Sequence, residues 1–434
     1  MFRVPRLTKW LENANPIVFS IFTIAVAFST YFSMYAFRKP FGAGTFEGFV
    51  TLPWGGEIGF KGLFVISQLL GYASSKFLGI KVISELRPEH RARGILGCIA
   101  VAWGALLLFA LVPAPYNAIF MLINGVPLGM IWGLVFGYLE GRRLTEVLGA
   151  GLSASYIVAS GVVKTIGGVL MTDYGITEYW MPFTTGALFA LPMLVLVWLL
   201  SHLPPPSEDD ERARTKREPM DGEARKAFLK AYLPGLASLT GLYVLLTAYR
   251  DFRDNFAVEI WTEAGSQDVM TLLTTSETRV TVGVLFTLAL LMVIKNNRTA
   301  LILVHLMMLT GTALIGISTM MFQSQVITPE AWMVLTGLGL YVAYVPFGCI
   351  LFDRLIAATG AVGTAGFMIY VTDASGYGGS VVLTLYRDLG EPDLSWLDFF
   401  VMVSYATSSV CTLLFGVSMV YFARKTRAES IPTP

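Results

Sequence analysis

The stretch PPPSEDDERARTKREPMDGEARK, from Pro204 to Lys226, is the longest polar segment of the sequence and lies near its midpoint. On either side the chain is strongly apolar: of 434 residues, 55% are hydrophobic and only 14% are charged. Its apolar runs of about 17 to 25 residues are long enough to cross a hydrocarbon core of about 30 Å as helices. The composition therefore predicts a polytopic α-helical membrane protein and argues against a soluble enzyme.

Hydropathy divides the chain into twelve apolar runs, six before the polar stretch and six after it. The predicted spans are 16–38, 59–77, 94–113, 117–139, 148–171, 180–203, 231–252, 280–295, 299–322, 331–352, 361–385 and 397–422. We therefore predict an all-α polytopic membrane protein with twelve transmembrane helices in two pseudo-symmetric six-helix bundles, residues 1–203 and 231–434. Residues 204–230 form a cytoplasmic linker, whose mixed charges favour simple solvation over recruitment of a partner.

The basic residues predict the orientation. Of the 31 Lys and Arg residues, 23 fall in the predicted termini and in alternate loops, all on one side. The positive-inside rule makes that side cytoplasmic. We therefore expect a multi-pass protein of the cell (inner) membrane with both termini in the cytoplasm. The first 16 residues show no cleavage site and are interpreted as retained chain, not as a signal peptide.

Weak repeats relate the two halves. The dipeptides FG and GG, spaced 30 residues apart, occur in both halves at an offset of 211 residues. At an offset of 212, Tyr31 and Arg38 match Tyr243 and Arg250. Such repeats favour a duplicated six-helix unit, and in transporters built this way the substrate site lies between the repeats.

Lys164 is a candidate binding residue because it lies deep inside a predicted span, in YIVASGVVKTIGGVLM. A charge near the bilayer centre costs roughly 2.5 to 3.5 kcal/mol on insertion scales, so this ammonium should face protein or water. It could bind a solute, or it could tie two helices together through a carboxylate.

Arg38 and Arg250 end their apolar runs at equivalent points of the repeat. Each follows a tyrosine by seven residues, Tyr31 or Tyr243, and Tyr35 joins Tyr31 and Arg38 in one stripe of a helix. These arginines could anchor the helices at the membrane surface, but their repeated setting favours a binding role, which we extend to the three tyrosines.

Asp373, in MIYVTDASGYGG, is the only carboxylate well inside a predicted span of the second half. Three roles are open to it. It could pair with Lys164, take up a coupling proton, or cap a bend among the neighbouring glycines.

Three short motifs carry a resemblance to a known family. The string YAFRKPF (35–41) resembles the first-helix signature of the organophosphate:phosphate antiporters of the major facilitator superfamily, and TAYRDFRDNF (247–256) and KTIGG (164–168) are similar to their seventh-helix and fifth-helix segments. The resemblance implies the fold of that superfamily, exchange of glycerol or hexose phosphates for phosphate, and phosphoryl binding by Arg38 and Arg250. The sequence differs from the family in having Lys164 where a histidine is usual and Ser75 where an aspartate is usual.

The charges of the candidate residues agree with an anionic solute. If Arg38, Lys164, Arg250 and Asp373 share one cavity, two positive charges remain unbalanced, and a phosphate monoester carries about −1.5 to −2 at pH 7. We therefore expect a secondary transporter that exchanges a small phosphorylated metabolite by alternating access. Two alternatives remain: a proton-coupled transporter of another small solute that uses Asp373, and a non-transporting receptor that keeps a transporter fold.

Other functional classes have little support in the sequence. The three cysteines and three histidines show no metal-ligand spacing, so we predict no metal and no cofactor. No nucleophile with a plausible base is evident, which argues against an enzyme, and no basic stripe indicates nucleic acid. The expected partners are a small anionic solute and membrane lipid, and we expect a monomer.

Overall fold

The structure is a computed structural model that describes residues 4–142, 144–207, 210, 222–359 and 365–428. Of the predicted linker, 204–230, residues 208, 209 and 211–221 lie outside the described residues, and residues 222–230 form the start of a helix. Within them, twelve long helices form the fold: α1 (Pro16–Tyr35), α2 (Phe60–Glu85), α3 (Arg91–Leu111), α4 (Ala118–Phe136), α5 (Thr145–Thr172), α6 (Met181–Leu200), α7 (Gly222–Asn255), α8 (Val269–Met292), α9 (Asn297–Gln323), α10 (Pro329–Tyr344), α11 (Ala365–Leu385) and α12 (Trp396–Ala428).

Short elements connect these helices. The strands β1 (Phe49–Thr51) and β2 (Glu57–Gly59) form an antiparallel hairpin between α1 and α2, with Val50 opposite Ile58. The remaining short elements are helical: Pro5–Glu12, Pro40–Ala43, Pro88–His90, Ala257–Glu263, Pro346–Cys349, Leu351–Thr359 and Tyr386–Gly390.

Local sequence explains several helix ends. α1 begins with Pro16 in its first turn, where a missing N–H costs nothing, and the side chain of Asn15 accepts a hydrogen bond from the backbone of Ile17. α10 begins in the same way, with Thr328 as its N-cap. It is interrupted where Pro346 cannot supply the next backbone hydrogen bond, and the chain resumes as the short helix Pro346–Cys349.

The helices pack as two bundles with the same internal arrangement. In the first bundle α1 contacts α4, α5 and α6, α2 contacts α4, and α3 contacts α4 and α6. In the second bundle α7 contacts α10, α11 and α12, α8 contacts α10, and α9 contacts α10 and α12. The bundles meet where α5 packs on α8 and α2 packs on α11, two contacts that the repeat also makes equivalent.

Glycine allows the closest of these contacts. At Gly71 of α2 a Cβ atom would lie 2.0 Å from the carbonyl oxygen of Leu122 on α4, so no larger residue fits without moving a backbone. The same holds between the bundles, where a Cβ at Gly161 of α5 would lie 2.0 Å from the carbonyl oxygen of Leu273 on α8. Small residues at helix contacts are typical of membrane bundles.

Ten helices of the described residues are long and apolar enough to cross a membrane. The other two long helices, α2 and α11, contain 26 and 21 residues and so extend about 39 Å and about 32 Å, enough to span. The protein is thus a multi-pass membrane protein.

Several predicted spans have different limits in the structure, and three of them are longer than predicted at charged residues. α2 continues to Glu85 instead of ending at 77, α7 continues to Asn255 instead of 252, and α8 begins at Val269 instead of 280. Hydropathy stops at charged residues, but several of these charges face other helices and not lipid, so the helices run on past them.

The first and last residues that the structure describes lie at the same end of the helix bundle. Val4 donates a backbone hydrogen bond of 2.7 Å to Nε2 of His202 after α6, and Tyr421 near the end of α12 donates one of 3.2 Å to the carbonyl oxygen of Ala231 in α7. We call this end, where α1 begins and α12 finishes, the terminal end, and the opposite end the distal end.

Candidate functional site

A cavity of about 60 Å³ lies between the two bundles. It is lined by six of the predicted site residues: Tyr31, Tyr35, Arg38, Tyr243, Arg250 and Asp373. Lys76, Tyr72, Tyr344 and Tyr377 also line it. This volume corresponds to a few water molecules or a small polar group.

Arg38 is the least satisfied charge in this cavity. The residue is only 4% exposed, its guanidinium lies 3.9 Å from the ring centre of Tyr72, and its Nε has no hydrogen-bond partner. No carboxylate of the described residues forms an ion pair with it. A buried N–H without an acceptor is costly, so the Nε of Arg38 is available to bind an anion.

Arg250 is paired within its own bundle. Its Nη2 lies 2.8 Å from a carboxylate oxygen of the adjacent Asp251, and its Nη1 donates to the hydroxyl of Tyr344. The other oxygen of Asp251 accepts a 2.7 Å hydrogen bond from Ser380 on α11. These contacts fix the guanidinium of Arg250 at the cavity wall.

Lys76 and Asp373 join the bundles through the cavity. Nζ of Lys76 on α2 lies 2.6 Å from a carboxylate oxygen of Asp373 on α11. Tyr243 donates to the other oxygen of Asp373 at 2.9 Å, and its hydroxyl lies 2.8 Å from that of Tyr344. A continuous polar chain therefore runs from Lys76 in the first bundle to Arg250 in the second.

Two tyrosines pack across the same interface. The rings of Tyr72 on α2 and Tyr377 on α11 lie 4.7 Å apart, and the Arg250 guanidinium lies 5.9 Å from the centre of the Tyr377 ring. Each cavity arginine thus lies near one ring of the pair. Aromatic faces stabilise cations, so the two tyrosine rings can form cation–π contacts with the two guanidinium groups.

Lys164 lies outside this cavity, contrary to the expectation that it shares a pocket with the arginines. It is eight residues, or about 12 Å, beyond the cavity residue Tyr156 along α5. Its Nζ lies 2.7 Å from a carboxylate oxygen of Asp254 on α7. The sequence analysis considered a helix–helix tie for Lys164, and the structure shows that tie, with Asp254 in place of Asp373.

Asp254 also holds a second lysine of the first bundle. Nζ of Lys39, in the turn after α1, lies 2.5 Å from the other carboxylate oxygen of Asp254 and donates to Asn255 at 2.8 Å. The hydroxyl of Ser160 on α5 donates to Asp254 as well. One carboxylate of the second bundle therefore binds three donors of the first.

A further ion pair closes the distal end. Lys61 at the start of α2 pairs with Glu259 after α7, and its Nζ also donates a 3.1 Å hydrogen bond to the carbonyl oxygen of Gly42. We call the five residues of these ion pairs the distal lock: Lys39, Lys61, Lys164, Asp254 and Glu259. Because the members are at most 13% exposed at the side chain, water does little to replace these contacts if they break.

The sequence analysis missed three charged residues near the site. Lys76 was counted among the cytoplasmic basic residues, Asp251 lay at the end of the predicted span 231–252, and Asp254 lay just beyond that span. A usable signal was present for Lys76, because the apolar residues after it, from 77 to 80, continue the helical pattern. Asp373 is therefore not the only carboxylate inside the second bundle.

The charged residues differ from the expected set, and the surplus positive charge does not lie in one cavity. The cavity and the Asp254 cluster together contain five cations, Arg38, Lys39, Lys76, Lys164 and Arg250. They contain three carboxylates, Asp251, Asp254 and Asp373. Five cations against three carboxylates leave two positive charges unbalanced, one at the cavity and one in the Asp254 cluster.

A protein-family model matches residues 40–425, most of the chain, and its description is a family of unknown function, DUF5690. The chain belongs to this family. Among curated proteins, no sequence matches it.

Solved structures of transporters resemble the fold. A D-xylose-proton symporter has a TM-score of 0.60 at 12% identity, with 95% of this chain and 100% of that one covered. The nucleoside transporter NupG gives 0.59 at 15% identity, with 93% and 99% covered. The xylose transporter XylE from E. coli, in an inward open conformation, gives 0.56 at 12% identity, with 91% and 95% covered.

These similarities confirm the predicted fold class. The protein has the all-α major facilitator fold, with two pseudo-symmetric bundles of six helices. At such low identity the similarity concerns the fold alone. It does not show membership of the organophosphate:phosphate antiporters that the sequence motifs resemble.

Proposed function

We propose that this protein is a secondary transporter that moves a small anionic solute by alternating access between its two bundles. The observation that carries the proposal is Arg38, a buried guanidinium with an unpartnered Nε in a cavity between the bundles. Solved proteins of similar fold are described as a proton symporter of D-xylose and a nucleoside transporter, which supports transport as the general function.

We further propose that the solute carries a phosphoryl group and that the reaction is organophosphate/phosphate exchange. A guanidinium offers a planar fork of donors that suits phosphate, and two of them face this cavity. A phosphate monoester of about −2 would balance the surplus charge at the cavity and that of the Asp254 cluster. A volume of about 60 Å³ suits the phosphoryl group itself, so an organic remainder requires the cavity to widen.

The closed contacts suggest how the bundles would move. The distal lock holds one side shut, while Lys76–Asp373 and the Tyr72–Tyr377 ring pair hold the bundles together at the cavity. An anion at Arg38 removes the repulsion between cations that opposes closure, so the loaded protein can change sides and the empty one resists it. We place the terminal end in the cytoplasm of the cell (inner) membrane, on the strength of the basic residues.

Asp373 supports a second candidate, coupling to protons. It accepts from Lys76 of the first bundle and Tyr243 of the second. Protonation of this carboxylate would remove the ion pair with Lys76 and loosen the bundles, which is the event a proton-driven carrier needs.

Counterflow in proteoliposomes tests the proposal. Vesicles loaded with unlabelled phosphate or hexose phosphate should accumulate labelled phosphate, and Arg38→Gln should lower the rate at least tenfold, because a hydrogen bond to a charged group contributes about 1.5 to 3 kcal/mol. The matched control is Arg279→Gln, which removes an exposed arginine paired with Glu330 and should leave exchange unchanged.

Other outcomes identify the alternatives. Full exchange by Arg38→Gln contradicts anion binding at this cavity. Uptake driven by a pH gradient alone, and abolished by Asp373→Asn, indicates proton coupling. Binding of phosphate without any flux indicates a receptor.

A further inference from the structure

A groove of about 1240 Å³ lies on the outer face of the second bundle, away from the central cavity. It runs between α9 and α12, two helices that belong to the same bundle. Its walls are exposed apolar side chains, among them Met320, Leu413 and Val417, which are 56%, 71% and 54% exposed. Because both helices are long and apolar enough to span the membrane, this face meets the bilayer.

The floor of the groove is apolar although it contains hydroxyl groups. Ser408 donates a 2.7 Å hydrogen bond to the carbonyl oxygen of Thr312, so its polar capacity is used between the two helices. At Gly416 an added Cβ would meet only a Leu309 methyl, at 3.9 Å. The groove is therefore open above Gly416 and can accept a hydrocarbon chain.

Two cations mark the terminal end of the groove. Arg424 and Lys425 both line it, and no ion pair to a carboxylate of the described residues involves either of them. Lys425 lies 5.5 Å from the ring centre of Tyr232 on α7, which places its ammonium beside α7 at the terminal end. From Tyr405 to Lys425 the groove extends about 30 Å, the thickness of the hydrocarbon core.

We propose that this groove binds an anionic glycerophospholipid of the surrounding bilayer. An acyl chain lies along the apolar walls, and the phosphate contacts Arg424 and Lys425. The apolar walls lie along the groove and the two cations lie at its end, which is how the acyl tail and the phosphate headgroup of a lipid are arranged. A second copy of the chain fits less well, because a two-fold contact through this face brings the same two cations towards their own copies.

Native mass spectrometry of the purified full-length chain tests the proposal, with phosphatidylglycerol and phosphatidylcholine as probes. We expect the intact protein to bind phosphatidylglycerol more tightly than phosphatidylcholine. Arg424→Gln with Lys425→Gln should weaken phosphatidylglycerol binding about thirtyfold, because each cation near anionic lipid contributes about fivefold. Gly416→Phe, which fills the groove without touching the cations, should reduce binding of both lipids.

Matched controls keep the result specific. Lys295→Gln removes an exposed cation at the same end of the bundle, and Leu191→Phe enlarges an exposed apolar side chain on α6, so neither should change lipid binding. Thermal unfolding and size-exclusion chromatography check that each variant is folded.

Three results would overturn the proposal. If the intact chain and both groove variants bind phosphatidylglycerol equally, the groove is not the lipid site. Equal affinity for the two lipids removes the headgroup contact. A dimer that disappears in Gly416→Phe assigns the groove to self-association.

Discussion

Replacing Asp254 with asparagine should release the distal end of the bundle. The carboxylate binds Lys164 at 2.7 Å and Lys39 at 2.5 Å, and both lysine side chains are only 3% exposed. In Asp254→Asn the two ammonium groups remain buried near each other without a counter-charge. Removing one partner of a buried ion pair costs about 3 to 5 kcal/mol, and each 1.4 kcal/mol is a factor of ten. The distal-closed state should therefore lose roughly a hundredfold or more relative to a distal-open state.

Spin labels at the distal end can measure this shift. Tyr174 follows α5 in the first bundle and Val326 follows α9 in the second, and they are 73% and 67% exposed. Cysteines placed at these positions, in a variant without the three native cysteines, report the distance between the bundles by electron–electron double resonance. We expect one short distance in the parent and a dominant longer distance in Asp254→Asn.

The control removes another ion pair at the same end. Glu330→Gln breaks the ion pair with Arg279, which lies within the second bundle. The side chain of Arg279 is 57% exposed and that of Glu330 is 41% exposed. Exposed pairs contribute about 0 to 1 kcal/mol, so the distance should not change. An Asp254→Asn variant with the parental distance, or a Glu330→Gln variant that shifts equally, would show that the distal lock does not hold the bundles together.

Two further predictions concern other charged groups. Lys76→Gln and Asp373→Asn should each lower the melting temperature, because each leaves a buried charge alone, whereas the double variant should recover part of the loss; additive effects in a double-mutant cycle would contradict the pairing. Burial raises the pKa of Asp388, in the turn after α11, to about 6, although the neighbouring Arg387 lowers it, and one of its oxygens lacks a hydrogen-bond partner. The folded pKa lies above the unfolded value of about 3.9, so the free energy of unfolding falls as pH rises from about 4 to about 6 and then levels off. Asp388→Asn should therefore stabilise the protein more at pH 8 than at pH 5, and thermal unfolding at the two pH values checks this.

The sequence predicts much of the fold because bilayer physics is simple. A long apolar run must form a helix to satisfy its backbone, so both the helical class and the twelvefold count can be derived from hydropathy. The repeat of Tyr31 and Arg38 at Tyr243 and Arg250 correctly places these residues around one cavity. Whether they bind a solute stays a prediction.

The sequence could not predict the ion pairs, because hydropathy treats every charge as a cost. Asp254 lowers the apolar score of its segment in the same way whether it faces water or two buried lysines. Lys164 was recognised as unusual from its depth, but its partner lies 90 residues away on another helix. Such pairing depends on how α5 and α7 meet, which no local pattern encodes.

The two unbalanced positive charges would make turnover sensitive to voltage. If the bundles rock, the unloaded protein transfers its surplus from the field on one side of the membrane to the other, at about 2.3 kcal/mol per charge for each 100 mV. A bound dianion cancels that electrical work. A membrane potential would then change only the rate at which the empty carrier returns. The resting potential of the cell would therefore set how strictly the export of one solute is coupled to the import of the next.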